Sequence, residues 1–358
     1  MLRPLPDPAR PDGAPGVVRV RRRDGLASWS AVLLLCVTVP GSVAGQGVPD
    51  ALETLDGANA RAWVGPFTRA LAPALTAGFF TSGGRGEGFH LGLRLTGGHV
   101  APADERFDPV LPGSVVYGGV TYTDPYVVQG GAPSADGRAP SVAGGRTDAR
   151  MVPRPGSPFE AALDAAGVPP GSRGLPLPDG LDLSYAPLPV VEASLALRGI
   201  GLQLVGRFTP TVELFDEIGD ASVFGAGALV TVSRFLGITL VDIGVSALTQ
   251  KVDGGDWLDG SASAFGVVVS RDLGLFRAYT HGTVASSRVD VRYRVRNPDG
   301  LPLLPPDGTP VAFRESLHGQ ARVALGAAVD LRALSLAAEY QPGARDVLSV
   351  RATLFRRR

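Results

Sequence analysis

Cysteine is almost absent: the 358 residues contain one, Cys36. It falls inside an N-terminal leader, so the rest of the chain has no thiol, which excludes a disulfide scaffold and thiol catalysis. Leu35 before it is bulky where a lipid-modified cysteine needs a small neighbour. Lysine is as scarce, with Lys251 alone among 34 basic side chains. Those 34 are matched by 34 acidic residues, and charged residues make up only 19%. No basic field is left to attract nucleic acid.

The marks of catalysis are also missing. There is no G-x-S-x-G elbow, and Lys251 stands in no phosphate-binding loop. His90, His99, His281 and His318 lack the spacing of a zinc-ligating pair. Serine chemistry would need His281 or His318 beside a serine of a neighbouring strand, and spacing alone selects no such pair. Gly225-x-Gly227 is followed by no helix, so it reads as a small-residue strand face rather than a dinucleotide loop. The Asp253–Asp259 loop is rich in oxygen but lacks the EF-hand spacing and final glutamate, and reads as a solvated acidic turn. No cofactor and no enzymatic activity are expected.

The last thing missing is a long unbroken apolar run. Residues 226–248 come nearest, but Arg234 and Asp242 interrupt them and glycine and β-branched residues, poor helix formers, dominate. Their apolar side chains alternate instead. Phe224, Ala226, Ala228, Val230 and Val232 share one face, and Val241, Ile243, Val245 and Ala247 another after a turn at Phe235-Leu236-Gly237. Two strands fit this better than one transmembrane helix.

What is present is 48 glycines and 31 prolines, together about 22% of the chain against a usual sum near 12%. The hydrophobic fraction is an ordinary 44%. Residues 1–44 read as an N-terminal extension and cleaved signal peptide. Arg21-Arg22-Arg23 precede the apolar run 31–39, and Ser42-Val43-Ala44 ends it, with cleavage expected after Ala44. Residues 45–76 hold the one convincing helical stretch, interrupted by Pro66 and Pro73, and are a candidate plug. Residues 77–358 read as the barrel, with a long Pro/Gly-rich insertion at 98–188, a cap, lid or plug.

Strand alternation fills the rest. Phe89, Leu91, Leu93 and Leu95 oppose His90, Gly92, Arg94 and Thr96; Val289, Val291, Tyr293 and Val295 oppose Asp290, Arg292 and Arg294. Short turns at 199–201, 235–237, 272–274 and 331–333 alternate with longer connections at 209–220, 250–260, 296–310 and 342–346. Outer-membrane barrels connect their strands in this way, with short periplasmic turns and longer outer loops. Aromatics near strand ends (Phe208, Phe224, Phe235, Tyr340, Phe355) suit an interfacial girdle. The fold class is therefore all-β, an antiparallel transmembrane β-barrel of ten strands, or twelve if parts of 74–83 and 115–122 join. Both termini are expected at the short-turn end. A soluble, secreted or periplasmic β-rich binding or structural protein is the alternative.

The expected lumen-lining residues are Arg94, Glu192, Arg198, Arg207, Asp242, Arg322, Asp330, Glu339 and Arg351. They form either a polar passage or a packed, salt-bridged interior.

The segments GFHLGLRLTGGHVAPADERFDPVLPGSVVYGGVTYTDPY, LPDGLDLSYAPLPVVEASLALRGIGLQLVGRFTPTVEL and DEIGDASVFGAGALVTVS resemble an uncharacterised outer-membrane β-barrel family, a domain of unknown function. The resemblance covers most of residues 65–355 and brings no site residues with it. In layout the chain is distantly similar to long-chain fatty-acid transporter barrels, which have N-terminal helical plugs. It departs from the usual barrel ending, since Arg356-Arg357-Arg358 follow Phe355. The protein is expected in a Gram-negative outer membrane, and a conduit for small or hydrophobic molecules is expected from the 98–188 insertion and the 50–76 helices, which a barrel does not need for closure and which cost backbone entropy to order. Its expected partners are outer-membrane lipid, the barrel-assembly machinery and a small hydrophobic solute.

Overall fold

The computed structural model describes residues 47–84, 88–130, 137–197, 199–213, 220–298, 300–331 and 333–355. The leader, its cleavage site and Arg198 lie outside the described residues. Ten antiparallel strands close into a barrel: β1 (Gly88–His99), β2 (Tyr185–Leu197), β3 (Leu202–Glu213), β4 (Asp220–Thr231), β5 (Asp242–Asp253), β6 (Leu258–Leu273), β7 (Phe276–Arg294), β8 (Pro310–Leu331), β9 (Leu334–Gln341) and β10 (Val347–Phe355). Each strand pairs with its sequence neighbour, and β1 pairs with β10 to close the sheet, His90 opposite Phe355. The strand number is ten; residues 74–83 and 115–122 are not in the wall. Among the described residues no helix is long and apolar enough to cross a membrane.

One end carries the connections that follow β6 and β8, and the other those that follow β1 and β7. The alternation of short and long is not strict. Residues 232–241, at the short-turn end, form a longer connection than 254–257 at the other end. Ile238 and Leu240, expected to start β5, are instead exposed in that connection beside Phe235 and Leu236.

The outer face is apolar where the strands alternate as expected. Phe89, Leu195, Phe224, Phe265 and Leu325 all point outward and are exposed. Crossing a bilayer takes about 9–11 strand residues. With 8 and 9 residues, β9 and β10 are close to that length, whereas β7 and β8, with 19 and 22, continue well beyond it. Beyond that length the two faces exchange character. Val289, Val291 and Val295 turn inward and are buried, while Arg288, Arg292 and Arg314 point out into water. A register shift between Ala285 and Ser287 of β7, opposite Gln320 and Leu317 of β8, keeps this switch in phase across the pair.

The buried upper faces pack on two helices, α1 (Val48–Glu53) and α2 (Gly57–Ala74). Asp56 caps α2 by accepting from the Ala58 and Asn59 N–H groups. α2 runs straight through Pro66 and Pro73 instead of breaking there. The lost helical bonds cost about 3 kcal/mol each, and burial of Trp63, Val64, Phe67 and Leu71 offsets them. The insertion folds over the helices. It contains short ladders, such as Ser114–Tyr117 with Val120–Thr123, and a helix α3 (Pro158–Ala165) whose Phe159 sits within 5.2–6.0 Å of the Tyr117, Tyr122 and Tyr126 rings. Burial pushes the Tyr126 hydroxyl up to about 12. Asn59 locks cap to helix, donating to the Val110 carbonyl and accepting its N–H.

Both helices therefore sit at the long-loop end: the Arg296 N–H donates to the Glu53 carbonyl, and Tyr293 Oη to that of Leu55. β1 starts at the opposite end, and residues 75–84 join the two by running through the lumen. The helical segment and the end of β10 thus lie on opposite sides of the barrel, contrary to the expectation of two termini at the short-turn end. Val291→Ala should lower stability by about 2 kcal/mol, because the side chain is fully buried against the cap. Arg292→Ala, one residue on, should change it by less than about 0.5 kcal/mol, and thermal unfolding of the detergent-purified protein reads both.

Candidate functional site

Strand alternation turns every second side chain of the wall into the lumen, and register decides which of the polar ones meet. Arg94 of β1 lies opposite Arg351 of β10, and Glu192 of β2 opposite Arg207 of β3. Two arginines directly across a strand pair repel. Glu192 resolves this by ion-pairing with all three guanidinium groups: Arg94 Nε at 3.1 Å, Arg207 Nε at 3.3 Å and Arg351 Nη2 at 2.8 Å. All four side chains are almost wholly buried, and the Glu192 side chain is fully enclosed. Arg94 Nη1 also donates to Ser349 Oγ at 2.8 Å, which lies 3.1 Å from Thr96 Oγ1. The network spans β10, β1, β2 and β3, across the seam where the first and last strands meet.

The same groups hold the crossing segment. Arg207 Nη1 donates to the Ala77 carbonyl at 3.0 Å, and its guanidinium lies 3.5 Å above the Phe79 ring. Glu339 accepts the Gly78 N–H at 3.0 Å. Arg351 Nη1 donates to Thr81 Oγ1 at 3.2 Å, and the Gly83 N–H to Ser270 Oγ at 2.8 Å. Phe79 and Phe80 pack with Val205, Leu229, Leu248 and Val268 in a small apolar cluster inside the barrel. Gly83 and Gly84 fit because they lack side chains: a Cβ would lie 2.4 Å from the Asp242 carbonyl and 1.5 Å from Thr231 Oγ1. Ser194 Oγ, Gln250 Nε2, Arg94 Nη2 and Arg207 Nη2 are buried here without a hydrogen-bond partner among the described residues.

Of the residues expected in the lumen, Arg94, Glu192, Arg207, Glu339 and Arg351 come together. Asp242 is buried at the short-turn end beside Gly83. Asp330 pairs with Arg277 at 3.1 Å at the same end and is partly exposed. Arg322 reaches up to the Arg345 carbonyl at 3.3 Å, at the loop-end rim. Sequence reasoning missed residues 77–84 as the lumen filling; the phrase GFFTSGG, with small residues flanking two aromatics, was the available signal. It also named His281 without a partner, and folding sets Ser246 Oγ 3.4 Å from His281 Nε2. Among the described residues no carboxylate is hydrogen-bonded to His281, so no acid orients it as a general base requires. In the acidic loop, Asp259 is tied to Arg292, and no group of three or more potential metal ligands occurs among the described residues.

Glu192→Gln would leave three guanidinium groups around a neutral amide. Breaking a buried ion pair from one side costs about 3–5 kcal/mol, and a heat-modifiability gel should show this variant opening at markedly lower temperature. Glu339→Gln should be milder, since its amide oxygen still accepts the Gly78 N–H.

No curated protein matches the sequence. Two solved structures resemble the chain in layout. The translocator domain of autotransporter NalP from Neisseria meningitidis has 9% identity and a TM-score of 0.27, covering 83% of this chain and 98% of that one. OmpTdeltaL8, a loop L8 deletion mutant of OmpT, an outer membrane protein of Vibrio cholerae, has 12% identity and a TM-score of 0.21, covering 74% and 97%. Likeness at that level carries no argument about function. The match that takes in wall, cap and crossing segment together is to the Family of unknown function (DUF6588), over residues 27–353, and the chain belongs to that family.

Proposed function

We propose that this protein is a non-enzymatic barrel of a Gram-negative outer membrane, inserted by the barrel-assembly machinery with its long loops outside. Its lumen is a conduit for small solutes, closed by residues 77–84. One observation carries the reading: the crossing segment is held to a polar wall by polar contacts, with unpaired donors buried around it. A lumen filled only for stability would be served as well or better by apolar packing, because desolvating charges is costly. A polar wall, in contrast, lets water and solute replace the segment's hydrogen bonds when it shifts. The lining favours polar solutes over the hydrophobic ones that the fatty-acid transporter layout suggests. A second reading, a membrane anchor for the cap, draws on the large core that closes the loop end.

Planar-bilayer recording tests the conduit. The intact protein should conduct little, and Phe79→Ala/Phe80→Ala should conduct severalfold more, because the apolar contacts of the segment are gone. A second variant lacking residues 48–84 should be open throughout. If both variants stay heat-modifiable yet pass neither ions nor a small sugar into liposomes, the conduit is lost and the anchor stands.

A further inference from the structure

The path of the chain through its own barrel leads to a second activity. α1 and α2 are docked at the loop end, residues 77–84 follow down the lumen, and β1 begins at the short-turn end. In a closed barrel, helices on one side and a strand start on the other can be joined this way only through the pore. We infer that the barrel exports its own N-terminal helical segment, residues 48–74, to the cell exterior through its lumen, and that residues 77–84 are the tether left behind. This rests on the outer-membrane orientation proposed above.

The dimensions decide in what form the segment passes. An eight-stranded barrel encloses little more than side chains, and ten strands add only modestly to that. An α-helix with side chains is about 10–12 Å across, whereas residues 77–84 cross as non-helical chain of turns and bends, with Gly78, Gly83 and Gly84 among them. The segment must therefore pass, or be enclosed by the closing seam, before it is helical. Its charged residues (Asp50, Glu53, Asp56, Arg61, Arg69) are not buried in the core at the loop end, and Arg61 and Arg69 pair there with Glu315 and Asp104.

Folding outside supplies the direction. Leu52, Leu55, Trp63, Val64 and Leu75 are almost fully buried only because the upper walls of β7 and β8 and the insertion surround them. At the short-turn end these side chains would have no such partner. Once docked, the helices cannot slip back through the lumen, and the tether is held at Ala77, Gly78 and Gly83 by hydrogen bonds to the wall. The cap then has a defined role: it is the receptor for the exported segment, with Asn59 bound to Val110 and the Val142 N–H to the Trp63 carbonyl.

Single cysteines in a Cys36→Ser background test this in intact cells expressing the full chain. Asp50→Cys and Arg61→Cys report on the helices, Asp256→Cys on the loop end and Ile200→Cys on the short-turn end; all four positions are exposed. A membrane-impermeant maleimide should label positions 50, 61 and 256 alike before permeabilisation, and position 200 only after it. A heat-modifiability gel confirms that each variant is folded. Labelling of 50 and 61 together with 200, while 256 is reached from outside, overturns export and leaves the outer-membrane barrel standing. Labelling of 50, 61 and 256 only from the periplasmic side overturns both export and the proposed orientation.

Discussion

Three guanidinium groups sharing one buried carboxylate is the arrangement on which the closed barrel depends. Arg94 and Arg351 face each other across the β1–β10 seam, so closing the sheet brings two like charges together inside a low-dielectric lumen. Glu192, one strand further on, removes that repulsion and pulls in Arg207 as well. The seam is thus joined by backbone hydrogen bonds at the wall and by charge within it. The spare hydrogen-bonding capacity of the same arginines fixes the crossing segment at Ala77 and Thr81. Closure of the barrel and filling of the lumen are one event in energetic terms.

Two solvents along one strand explain the rest of the architecture. Over the lower part of the wall the outer face is apolar and exposed, and the inner face carries the charged network. Beyond it the outer face of β7 meets water and carries arginine, and the inner face meets helix and cap and carries valine. The ladder is interrupted there once, by the register shift between Ala285 and Ser287. The side chains record the change of surroundings, and the paired irregularity in β7 and β8 keeps the correct face turned to each.

The helices and insertion, which a barrel does not need for closure, have a common explanation. Each hides apolar surface the other exposes, so neither folds well by itself. Pro66 and Pro73 inside α2 make the same point: a helix that gives up backbone bonds forms only where tertiary burial replaces them.

The sequence by itself determined the wall. Period-two alternation and glycine-bearing turns located all ten strands, with β9 and β10 placed at 334–341 and 347–355 as found, because a pleated strand between two solvents must alternate. It also singled out Arg94, Glu192, Arg207, Glu339 and Arg351 as inward-facing. Which of them touch was decided only by register, since Arg94 and Ser349 are 255 residues apart in the chain yet hydrogen-bonded. The end of the barrel at which α1 and α2 sit was decided the same way. Local pattern describes a residue's immediate surroundings, and GFFTSGG has no periodicity to report. Its place inside the pore follows from where the chain enters and leaves the closed sheet, a property of the whole fold.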